Sequence, residues 1–119
     1  MRYVDGFIIP VVKKRLPTYR RMAKQAGRIW RDHGALETRE YIADDVKVGK
    51  RTSFPRSVKL KPSETVVFSW ITYKSRAHRD RVNAKVMHDP RFAELIKMKP
   101  MPFDGKRMIF GGFELLVRV

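Results

Sequence analysis

The chain has 119 residues, 43% of them hydrophobic and 11% aromatic, and 27 Lys and Arg against 12 Asp and Glu give a formal net charge of +15. That length serves one domain, residues 1–119, with a core of its own. There is no cysteine, which excludes disulfides, thiolate metal sites and cysteine nucleophiles, and no run approaches the ~18 apolar residues of a membrane span.

Residues 3–12 are predicted to form a strand, since Val4, Phe7, Ile8, Ile9, Val11 and Val12 are β-formers with little polarity between them. Residues 15–33 predict a helix: Leu16, Tyr19, Ala23, Ala26 and Trp30 recur at spacings of three and four, with Pro17 in the first turn and Gly34 beyond the end. Residues 35–43 alternate Leu36, Thr38, Glu40 and Ile42 against Glu37, Arg39 and Tyr41, a second strand. A basic loop follows over 44–56, and Pro55 limits any strand over 53–60 to a sheet edge. Residues 64–73 read as the strongest strand. Ser75 suits the cap of a helix reaching about 88, and Asp89-Pro90 opens another before Pro100 and Pro102 lead into a last strand over 106–117.

The order β-α-β-β-α-β, with antiparallel pairing and both helices on one face, is the ferredoxin-like plan of an α+β protein. One helix layer covers one row of each strand. The last strand is apolar on both, with Ile109, Phe113 and Leu115 on one row and Met108, Phe110 and Leu116 on the other. An uncovered apolar row marks an interface, so a homodimer is expected through the sheet face opposite the helices, as in dimeric α/β barrels.

Four segments carry a likeness to a known family: Tyr3-Val4-Asp5-Gly6-Phe7, Val66-Val67-Phe68-Ser69-Trp70-Ile71, Met87-His88-Asp89-Pro90-Arg91, and the long run from Met101 to Glu114. Together they resemble the YbaA-like family of small bacterial proteins of unknown function. The resemblance runs from Tyr3 to Glu114 and implies a ferredoxin-like, dimeric α/β-barrel fold. It brings no established activity, cofactor or catalytic residue. The basic surplus is this chain's departure from those relatives.

The residues themselves offer few chemical constellations. His78 and His88 would lie ~15 Å apart along a helix, too far to share a metal, and no metal site or cofactor is expected. Phe103-Asp104-Gly105-Lys106-Arg107 enters a strand, which suits a turn rather than a phosphate cradle. Gly111-Gly112 inside a strand calls for a bulge or a close backbone approach, with a structural bulge favoured. Asp5 and Glu40 fall on largely apolar rows, where a carboxylate finds a cation or has its pKa raised. Arg39, Arg79 and Arg107 are the available partners, and paired carboxylates fixing the sheet are preferred to a general base. Trp70 and Tyr73 have opposite parity, so one faces the helices and the other the interface.

The leading functional expectation is a small cytosolic homodimer that binds a small molecule or serves as a stress-related accessory protein, with any pocket between sheet and helices. Residues 1–6, with an acid and a glycine, lack the pattern of a signal peptide, and no membrane partner is expected. The second is a cofactor-independent enzyme of the antibiotic-biosynthesis-monooxygenase type, with Asp5, Glu40, Trp70 and Arg107 as its constellation. The third is non-specific RNA or DNA binding through Lys47, Lys50 and Arg51 in the loop and Arg76 and Arg79 on a helix.

Overall fold

The computed structural model describes residues 1–119. The β-rich opening segment forms β1 (Tyr3–Val12), and the 64–73 segment forms β3 (Glu64–Tyr73), both with the predicted limits. They pair antiparallel along their whole length, from Tyr3 opposite Tyr73 to Val12 opposite Glu64. The shorter β2 (Glu37–Ile42) adds to the far side of β3, and β4 (Ile109–Glu114) adds to β1, giving one antiparallel sheet in the order β2-β3-β1-β4. β4 runs from Ile109 opposite Ile8 to Glu114 opposite Tyr3, and the Leu115 N–H donates to the Arg2 carbonyl at 2.9 Å.

A 3₁₀ turn at Lys13–Arg15 feeds α1 (Leu16–Asp32), with Pro17 in the first turn, where its missing N–H costs nothing. Gly34 ends the helix at φ +113°, a conformation open to glycine. Residues 53–60 correct the sequence expectation. Ser53 accepts a hydrogen bond from the Arg56 N–H and caps a single helical turn, α2 (Phe54–Ser57), so Pro55 begins a helix instead of edging a sheet. Ser75 and Asp89 cap α3 (Arg76–Met87) and α4 (Pro90–Leu95) as their residue types predict.

Strand parity decides which side is covered. Tyr3, Phe7, Ile9 and Val11 of β1, with Val67, Ile71 and Tyr73 of β3, pack under Tyr19, Met22 and Ile29 of α1, Val82 and Val86 of α3, and Leu95 of α4. Asn83 of α3 ties this layer together by accepting hydrogen bonds from the Trp30 indole at 3.0 Å and the Tyr73 hydroxyl at 3.3 Å. The opposite row holds Val4, Gly6 and Ile8 beside Phe68 and Trp70. One end of that second face is roofed by α2, whose Phe54 ring lies 6.0 Å from Phe68, so the helices are not all on one side. The rest lacks cover, and the shortest dimension of the molecule, 20 Å, matches one sheet and one helix layer.

The β4 glycines are not a bulge. Gly111 and Gly112 stay in unbroken register with Gly6 and Asp5. A Cβ on Gly112 would lie 2.2 Å from the Tyr3 hydroxyl, so the glycine is what lets that ring lie flat across β4. The turn leading to β4 is held by Arg107, which pairs with Glu64 and Asp104 and donates to the Val58 and Lys59 carbonyls.

Candidate functional site

Glu40 is the carboxylate around which a site is built. Its place opposite Ser69 puts it on the helix-facing row of β2, the sheet's edge strand. Its partners are not the arginines expected from sequence but two hydroxyls. Tyr19 of α1 donates to Oε1, and Ser69 of β3 donates to Oε2 at 2.5 Å. Burial and the neighbouring Glu40 charge push the Tyr19 phenol well above its ordinary pKa, so it remains a donor. Both hydroxyl residues are buried, whereas Glu40 is exposed toward the space between α1 and β2.

That space is a groove of about 480 Å³. Its floor includes Leu16, Ala23, Ile42 and Val67, and Tyr19, Thr38 and Glu40 line it as well. Gly27 sets the closest approach of helix and strand, since a Cβ there would meet Thr38 Oγ1 at 2.9 Å. Along the α1 side run Arg20, Lys24, Arg28 and Arg31, spaced by four, four and three residues and therefore on one helical stripe. Arg31 donates to the Leu36 carbonyl at 2.6 Å, and Asp32 is engaged by Arg91 at 2.7 Å. Arg20, Lys24 and Arg28 are exposed, and the ion pairs of the chain lie elsewhere.

The constellation Asp5, Glu40, Trp70 and Arg107 is not brought together. Asp5 is buried beneath α3, 3.5 Å from Arg79, where burial raises its pKa against the pull of that guanidinium. Trp70 is on the opposite face, stacked on Tyr41 at 5.0 Å and hydrogen-bonded to Glu37. Arg107 is committed to Glu64 and Asp104, and its hydrogen bonds hold the Glu64 carboxyl below the usual range. Asp5 does find one of the three available arginines, Arg79. Only Glu40 lines the groove.

The nucleic-acid candidates also separate. Lys47, Lys50 and Arg51 follow the end of β2 that pairs with Val67, whereas Arg76 follows the far end of β3 after Tyr73. Six residues of strand, ~20 Å, lie between those ends. Arg79 is half-buried and engaged by Asp5, Asp80 and the Tyr3 hydroxyl, with its guanidinium over the Tyr3 ring. It is a structural cation, not a free one.

The α1 stripe and Tyr19 line the groove, and Ser69 holds Glu40 from behind it; none of these was among the candidates that the sequence singled out. The stripe was visible as basic residues at helical spacing, and the parity of Glu40 with Ile42 put it on a largely apolar row. Nothing in the local sequence links Tyr19 to Glu40, 21 positions apart.

Two comparisons bear on the whole chain. Residues 2–105 match the family described as "Protein of unknown function (DUF1428)". The chain is 48% identical over 117 residues to "Uncharacterized protein YbaA" of Escherichia coli (strain K12), covering 98% of each chain. The protein of that name from Shigella flexneri is similar to the same extent.

Proposed function

The chain belongs to the DUF1428 family of proteins of unknown function, and we propose that it is a homodimeric protein that binds a small molecule in the groove between α1 and β2. The observation that carries this reading is the groove itself. Its volume of about 480 Å³ lies within the roughly 300–1,000 Å³ typical of small-molecule sites, and it combines an apolar floor with a few convergent polar groups.

The dimer rests on the uncovered sheet face. The strand order β2-β3-β1-β4 with α1 and α3 on one side supports reading the fold as the ferredoxin-like plan. Packing a second sheet on the first is the economical way to bury Phe68, Trp70, Ile109 and Phe113. Four strands at ~4.8 Å spacing and ~20–30 Å long present roughly 400–600 Å² of flat area, more once side chains are counted. That approaches the ~800 Å² per partner of a standard interface. A chain without cysteine suits a reducing cytoplasm.

A thermal-shift screen of metabolites, run on the native protein and on Ala23→Trp, tests the groove. Ala23 lines it from α1, and an indole there fills the space. Hits that stabilise the native chain and are lost in the variant support the site, because binding to the folded state raises its melting temperature. Hits retained by a folded Ala23→Trp protein place the ligand elsewhere.

A further inference from the structure

We infer that the ligand of this groove is an organic anion that also carries a hydrogen-bond donor, an inference that rests on the groove being the binding site. The two walls differ in charge. On the α1 side, Arg20, Lys24 and Arg28 recur every four residues, about 6 Å apart along the axis, and none is neutralised by a carboxylate of the chain. Three exposed cations in a row, next to apolar surface, favour an anionic group such as a carboxylate or phosphate.

The β2 side offers the opposite chemistry. Glu40 is the carboxylate there, and its hydrogen bonds from Tyr19 and Ser69 fix its orientation. A carboxylate has about four acceptor positions, so two remain after those bonds. Glu40 is exposed, so they can be reached from the groove. It repels an anion placed against it and accepts from a hydroxyl or an amine. The Tyr19 proton is spent on Glu40, so the groove wall offers an acceptor there and not a donor. A ligand satisfying both walls therefore places its acid along α1, its apolar body over Leu16, Ala23, Ile42 and Val67, and its donor at Glu40.

Three probes of one shape separate these contributions: 3-(4-hydroxyphenyl)propionate, its parent 3-phenylpropionate, and the methyl ester of the hydroxylated acid. Each is titrated into isotope-labelled protein, and amide shifts of α1 and β2 are followed by NMR. The hydroxylated acid is expected to bind most tightly. The ester and the parent should each be weaker by about tenfold, since each lacks one charge-assisted contact. Arg28→Gln should remove most of the preference for acid over ester. Glu40→Gln should remove most of the preference for the hydroxylated acid over its parent. Equal binding of all three probes at the groove overturns this inference and leaves the groove reading standing. No shift in α1 or β2 with any probe overturns the groove reading itself. The ligand series needs only the native protein, so it decides the question even where a variant fails to fold.

Discussion

Tyr19 on α1 hydrogen-bonds Glu40 on β2, tying the long helix to the edge strand at the floor of the groove. The tie is sensitive to alkali in a definite direction. The Tyr19 phenol has its pKa raised from 10.0 by burial and by Glu40, and the buried Tyr73 phenol is raised by burial and by Asp5. The folded chain keeps these protons at pH values where the unfolded chain releases them. Their contribution is complete below pH 10.0 and declines as pH rises above it. Unfolding by urea should therefore show stability falling as pH rises above about 10, less steeply in Tyr19→Phe. A variant that declines as steeply as the native chain contradicts this.

Arg107→Met is expected to be among the most destabilising substitutions outside the apolar core. Glu64 is 5% exposed, and the change leaves its carboxylate buried without its cation, at a cost of about 3 kcal/mol. It also strips a donor from the Val58 and Lys59 carbonyls. The Glu64 carboxyl is held below its ordinary 4.5, chiefly by hydrogen bonds from Arg107. A depressed acid stabilises above its unfolded value and loses that contribution as pH falls through the folded one. The gap between native and variant should thus narrow below pH 4.5. A loss under about 1 kcal/mol at neutral pH would mean the pair is no more than a surface bridge.

Gly112→Ala tests the flat Tyr3 ring. The new methyl falls on the phenol, which must lift away and carry its contact with Arg79 along. A loss of about 1–3 kcal/mol in denaturant unfolding is expected, the usual cost of overpacking. Tyr3→Phe combined with Gly112→Ala should recover little, because the ring atoms clash as well as the hydroxyl. An unchanged midpoint for the single variant would show that the strand yields without resistance.

Phe113→Lys probes the uncovered face. Phe113 is 62% exposed and lies opposite Val4 on that face, so a monomer should tolerate the change with little loss of stability. In a face-to-face dimer it sets a charge from each copy against an apolar surface. Sedimentation at micromolar concentration should show the native chain at twice the monomer mass and the variant at the monomer mass. A native chain that sediments as a monomer removes the dimer.

Most of the architecture was legible in the sequence, because period-two and helical patterns with polar caps report local geometry. β1 and β3 were readable to the residue, and Ser75 and Asp89 announced their helices. The 53–60 segment was not, since Pro55 argues equally for a strand edge and a first helical turn; the hydrogen bond from the Arg56 N–H to Ser53 decides it. The candidate site was less visible still. Parity put Asp5 and Glu40 on largely apolar rows, yet the face each takes and its partners are set by which helix crosses which strand. Asp5 obtained the arginine available to it, while Glu40 obtained Tyr19 and Ser69. Gly112 illustrates the same limit, because the need for it comes from a tyrosine more than a hundred positions away.

The antiparallel pairing of Tyr3 with Glu114 also has a practical side. The two chain ends emerge together between β1 and β4, while the groove opens at β2, the opposite margin of the sheet. A short peptide joining the ends would circularise the chain without crossing the groove. An affinity handle or a chip surface attached at either end would hold the molecule by its back, with the groove facing outward.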